Sequence, residues 1–124
     1  MNRVLIFDDD TDILEICTMI LQSKGYIVFT ETSCENLLEK ISPRNPHVII
    51  MDNKIPETGG VIATRIIKKT ENTKNIPVIL FSAFGNVAQL SKDARADYFL
   101  EKPFDITELE NLVELAVGRN AIHK

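Results

Sequence analysis

Three carboxylates in a row, Asp8-Asp9-Asp10, follow the apolar run Val4-Leu5-Ile6-Phe7, and a fourth, Asp52, follows Val48-Ile49-Ile50-Met51. Ser82 follows Val78-Ile79-Leu80-Phe81, and Glu101 and Lys102-Pro103 follow Tyr98-Phe99-Leu100. Carboxylates brought together repel, so at least one pKa should rise unless a cation is present. Mg2+ suits such a group, because it takes carboxylate oxygens and leaves its other positions to water or phosphate. A hydroxyl at Ser82 and an ammonium at Lys102 would complete a pocket for an oxyanion, and phosphoryl transfer needs charge neutralised from several sides. Taken singly, each residue has a plainer reading. An Asp run after a strand makes a turn and a helix cap, Asp52 precedes the turn residues Asn53 and Pro56, and a lone lysine is ordinarily solvated. Their joint placement, each at the end of a different apolar run, favours one shared site.

The elements that must position these residues are legible. Short continuous apolar runs suit strands buried on both faces, as in a parallel sheet, and Tyr26-Ile27-Val28-Phe29 adds another. Between the runs lie helical patterns. Ile13, Leu14, Cys17, Ile20 and Leu21 share one helix face, with Gly25 as a stop. Leu37, Leu38 and Ile41 mark a shorter helix expected to end at Ser42-Pro43, and Val61, Ile62, Ile66 and Ile67 mark a third after Gly59-Gly60. Residues 86–92 read as a weak fourth. Ile106, Leu109, Leu112, Val113 and Ala116 mark the last, capped by Asp105 or Thr107. Strands alternating with helices predict an α/β fold, a doubly wound parallel sheet with right-handed crossovers. Ligands of such sheets sit at the carboxyl ends of the strands, where the acidic residues fall.

Composition agrees. A chain of 124 residues is sized for one domain that buries roughly two-thirds of its unfolded surface. Hydrophobic content of 44% and charged content of 26% are those of a globular domain. The net charge of −4 argues against direct nucleic-acid binding. The absence of a long apolar run or signal core argues against membrane insertion or export, so a cytoplasmic location is expected. Cys17 and Cys34 lack zinc-site spacing and read as reduced thiols. His47, ahead of an apolar run, reads as structural. Residues 1–118 are expected to form the domain and 119–124 a short tail.

The ordered set Asp8-Asp9-Asp10, Asp52-Asn-Lys-Ile-Pro56 with Gly60, Pro77 to Ser82-Ala83, and Lys102-Pro103-Phe104 strongly resembles the receiver domain of two-component response regulators, in its chemotaxis-receiver-like form. The resemblance implies a five-stranded parallel flavodoxin-like (βα)5 sandwich with strand order 2-1-3-4-5. It further implies that Asp52 is the phosphoacceptor, supplied by a sensor histidine kinase or a histidine phosphotransfer protein. Asp9, Asp52 and the Lys54 carbonyl would bind Mg2+ or Mn2+ directly, and Asp8 would hold it through water. Ser82 would be the switch hydroxyl, Lys102 the lysine that pairs with the phosphoryl group, and Lys102-Pro103 a cis bond. Ala83 would leave access to the aspartate. Such a domain is no enzyme beyond its own phosphorylation and dephosphorylation, and its output would be binding of a downstream protein target or a homodimer.

There are departures from the family pattern. Phe99 stands where Tyr is common, the segment between Ser82 and Lys102 is slightly short, and Arg95 stands where a Gly usually precedes Ala-Asp. Two other classes fit in part. A small haloacid-dehalogenase-like phosphatase would use Asp8-x-Asp10, although Asp12 stands where it wants Thr or Val. A phosphorylation-independent receiver-like binding module would keep the fold without using the site.

Overall fold

The computed structural model describes residues 2–56, 58–82 and 92–122. Strands β1 (Arg3–Phe7), β2 (Ile27–Glu31), β3 (Val48–Asp52), β4 (Val78–Ser82) and β5 (Tyr98–Glu101) form a parallel sheet in the order β2-β1-β3-β4-β5. Helices α1 (Thr11–Ser23) and α4 (Ile106–Ile122) pack on one face, against Val4, Ile6, Ile50 and Phe81. Helices α2 (Leu37–Ile41) and α3 (Gly60–Lys69) pack on the other, against Leu5, Phe7, Met51 and Leu80. The expected doubly wound fold and strand order are thus observed. Full two-face burial holds for the central strands β3 and β4 and nearly so for β1, whereas the edge strands β2 and β5 are only partly covered.

Local chemistry explains the element ends. Asp10 caps α1, its Oδ1 accepting from the Asp12 and Ile13 amides at 3.0 and 3.3 Å. Lys24 closes the same helix, and Gly25 follows at φ 91°. Helix α2 ends at Ile41, at Ser42-Pro43 as expected. The chain tightens into a 3-10 turn over Ser42–Arg44, which tolerates proline in its first positions because that amide needs no partner there. At α4 the choice between Asp105 and Thr107 is resolved by a reciprocal box. Asp105 Oδ1 accepts from the Glu108 amide at 2.8 Å, and Glu108 Oε1 accepts from the Asp105 amide at 3.3 Å. His47 Nδ1 accepts from the Arg3 amide at 2.9 Å, so its role is structural. Of the weak fourth helix only residue 92 lies within the described residues, with 93 and 94 also helical. Arg95, in place of the usual glycine, takes φ 64°. Among the described residues no helix is long and apolar enough to cross a membrane.

Two consequences follow for the core. Cys17 and Cys34 are free and buried. Burial pushes both thiols up to about 11, with the Asp8 carboxylate adding to the effect at Cys17. Since the thiolate is the reactive form, neither should label with iodoacetamide within minutes at pH 8 in the native protein, whereas both should label in denaturant. The second consequence concerns Thr64, which lies fully buried on α3 with a hydroxyl that has no hydrogen-bond partner among the described residues. Thr64→Val replaces an orphaned hydroxyl by a methyl group of similar shape. It is expected to raise unfolding stability by about 1 kcal/mol, read as a higher urea midpoint.

Candidate functional site

Sheet register gathers the site. Phe7 is the partner of Met51, so the residues that follow them, Asp8 and Asp52, stand side by side at the carboxyl edge. Asp52 is in turn the register partner of Phe81, and Phe81 of Leu100. Oxygens of Asp8, Asp9 and Asp52 lie within 4.8 Å of one another. Asp8 and Asp52 are buried and Asp9 is exposed. Asp10 belongs to the helix cap rather than to this group. The Asp triplet therefore divides, its first two members facing the site and its third starting α1.

Lys102 enters from the end of β5. Its Nζ donates to Asp8 Oδ2 and to Asp52 Oδ1, each at 2.8 Å. Its amide donates to the Ser82 carbonyl at 2.7 Å, which anchors the β5 exit to β4. The Lys102-Pro103 bond is cis. The other oxygen of Asp52, Oδ2, accepts from the Lys54 amide at 3.1 Å, and Asp8 Oδ1 accepts from the Asp10 amide at 2.9 Å. Ser82 is buried at the end of β4, one residue beyond the partner of Asp52. Phe99, on the adjacent edge strand, is 48% exposed. Ala83 lies outside the described residues.

The electrostatics refine the expectation of repulsion. Burial is the main reason that Asp8 is raised above its ordinary value, and the Asp52 charge adds to it. Hydrogen bonds from Lys102 and the Asp10 amide oppose the rise. Burial alone would lower Lys102, but its bonds to Asp52 and Asp8 outweigh that, and its pKa is raised. The ammonium is thus held protonated between two carboxylates. The hard oxygens of Asp8, Asp9 and Asp52, set this close with one lysine as counter-charge, fit a small divalent cation better than a soft metal.

Sequence reasoning missed two members of the site. Phe81, fully buried, lies beneath the Lys102 ammonium at 5.5 Å from its ring centroid, and Phe104 packs on Phe81 with centroids 5.1 Å apart. In the sequence Phe81 is one apolar residue of a strand. Only the register, which places it beside Asp52, shows that it lines the site.

A doubly wound sheet with an acidic group and a bridging lysine at its carboxyl edge defines a receiver-type domain. A family model described as the response regulator receiver domain matches residues 4–114, and the chain belongs to that family. It is 30% identical over 111 residues to the DNA-binding dual master transcriptional regulator RpaA of Synechocystis, covering 88% of this chain and 46% of that protein. It is 29% identical over 115 residues to sporulation initiation phosphotransferase F of Bacillus subtilis, covering 91% of each. The Francisella response regulator 1452 receiver domain superposes with a TM-score of 0.85 at 30% identity, over 96% of this chain and 98% of that one. The chain spans less than half the length of the cyanobacterial regulator. Membership sets aside the haloacid-dehalogenase-like reading, whose second aspartate, Asp10, is here a helix cap.

Proposed function

We propose that the chain is a phosphorylatable switch in which Asp52 accepts a phosphoryl group from the phosphohistidine of a sensor histidine kinase or histidine phosphotransfer protein. The observation that carries this reading is the Lys102 ammonium held at 2.8 Å from both Asp8 and Asp52, at the mouth of a three-carboxylate group. A carboxylate oxygen of Asp52 attacks phosphorus. The phosphorus–nitrogen bond breaks, and its electron pair stays on the departing imidazole. Asp9, Asp52 and the Lys54 carbonyl would hold Mg2+ or Mn2+, with Asp8 acting through water. When bound, the cation neutralises charge on the transferring group. Lys102 then turns its ammonium to the phosphoryl oxygens, and the Ser82 hydroxyl donates to another. These movements draw Phe99 inward behind Ser82, which alters the surface around β5 that a downstream protein or a second copy reads. The chemistry ends on the chain itself, so the domain acts as a switch in the cytoplasm rather than as an enzyme on external substrates.

The test is intact mass after incubation with acetyl phosphate and Mg2+. One phosphoryl group is expected on the wild type and none on Asp52→Asn or in excess chelator. No gain in mass, together with no Mg2+ binding by titration, favours the phosphorylation-independent binding module instead.

A further inference from the structure

We propose that Phe81, backed by Phe104, is a positioning residue that holds the Lys102 ammonium on line with Asp52; this inference rests on the phosphoacceptor reading above. The argument starts from register. Asp52, Phe81 and Leu100 occupy one row of the sheet, strand by strand from β3 to β5, and Asp8 follows the end of β1 next to β3. Lys102 leaves the far end of that row, two residues beyond Leu100, yet its Nζ reaches Asp52 at the end of β3 and Asp8 just beyond β1. The ring that stands between the end of β5 and Asp52 is Phe81. The ammonium lies over this ring, 5.5 Å from the centroid, within the range of a cation–π attraction.

The ring itself has little freedom. Phe81 is fully buried, and Phe104 packs on it at an interplanar angle of 38°. Phe104 lies two residues beyond Lys102 in the same loop, so that loop supplies both the cation and the support for the ring beneath it. The two carboxylates cannot do this work throughout a phosphorylation cycle. They hold Lys102 in the metal-free protein, but a cation and a phosphoryl group would claim the same oxygens. The place of the aromatic face depends on neither the cation nor the phosphoryl group, because the ring is fixed by burial and by Phe104. Without its attraction the flexible lysine stem would populate rotamers aimed at solvent, and fewer molecules would have the ammonium in place for transfer.

The experiment replaces Phe81 by 3,5-difluoro- and 3,4,5-trifluorophenylalanine, which keep the ring's shape while weakening its negative face, with Phe81→Leu alongside. One readout is the initial rate of Asp52 labelling by acetyl phosphate at saturating Mg2+. It is expected to fall stepwise with fluorine, reaching about three- to ten-fold, at an unchanged Mg2+ affinity. The second readout is the urea midpoint in metal-free buffer, in the wild-type and Lys102→Met backgrounds. Fluorination is expected to lower the midpoint only where Lys102 is present. An unchanged rate beside a normally labelled wild type overturns the positioning role. A midpoint shift of equal size without Lys102 overturns the contact. A wild type that takes no label counts against the phosphoacceptor reading itself, and the denaturation cycle then still decides whether ring and ammonium are coupled.

Discussion

Lys102→Met is expected to destabilise the metal-free protein by about 3 kcal/mol at neutral pH, as breaking a largely buried ion pair from one side does. The substitution keeps an unbranched apolar stem and removes the ammonium that bridges Asp8 and Asp52. Both carboxylates would be left buried beside each other, at 1% and 7% exposure. The dependence on pH has a definite sign. In the native protein Asp8 already titrates above its ordinary 3.8, chiefly because it is buried. A raised carboxylate contributes stability below its unfolded value and loses it as pH rises through its native one. Loss of the opposing Lys102 bond carries Asp8 further in that direction. The deficit of the variant should therefore be small at pH values below 3.8 and grow as pH rises. Mg2+ should restore part of it by supplying the missing counter-charge. Urea unfolding over a pH series, with chelator and with Mg2+, checks this. A deficit independent of both pH and Mg2+ would show that the lysine acts through packing alone.

Gly60→Ala should act through the backbone of the acceptor. A Cβ at position 60 would overlap the Asp52 carbonyl oxygen and lie 2.7 Å from Asn53 Cα and 2.9 Å from the Asp52 carbonyl carbon. These are main-chain atoms with little room to yield. The Gly60 amide donates to Asn53 O at 2.9 Å, and the Asn53 amide donates to Phe81 O at 2.8 Å, so the start of α3 is stitched to the ends of β3 and β4. Overpacking of this kind costs about 1–3 kcal/mol, and the shift falls on the residue that carries Asp52. Both the urea midpoint and the labelling rate should drop. Gly118→Ala is the control, since nothing lies within 4 Å of a Cβ there. It sits inside α4, so alanine should be neutral or stabilising by up to about 1 kcal/mol. Equal behaviour of the two variants would refute the close-approach argument.

The contrast between what the sequence made legible and what it left hidden is physical. Doubly buried strands must be apolar on both faces, so β1, β3 and β4 announce themselves as runs, and the residues ending them mark the carboxyl edge. That edge is where Asp8, Asp9, Asp52, Ser82 and Lys102 fall. Caps carry local signatures, which is why a cap could be read in the Asp8-Asp9-Asp10 run and at Asp105. Strand register is not local. Nothing near Phe81 in the chain shows that it neighbours Asp52, or that Lys102 crosses its ring. The 3-10 turn over Ser42–Arg44 was missed because a proline that usually ends a helix can also sit in the first turn of a new one. Repulsion from Asp52 does raise Asp8, but burial is the larger cause, and burial depends on packing that composition does not reveal.

The central claim is that one carboxylate, that of Asp52, receives the phosphoryl group. Its most direct test is borohydride reduction of the protein after acetyl phosphate treatment with Mg2+, followed by peptide mass spectrometry. Borohydride cleaves an acyl phosphate and leaves an alcohol in place of that carboxyl group. The account predicts the reduced residue at position 52 and nowhere else. Reduction at Asp8 or Asp9, or none in protein whose intact mass shows the added phosphoryl group, would contradict it.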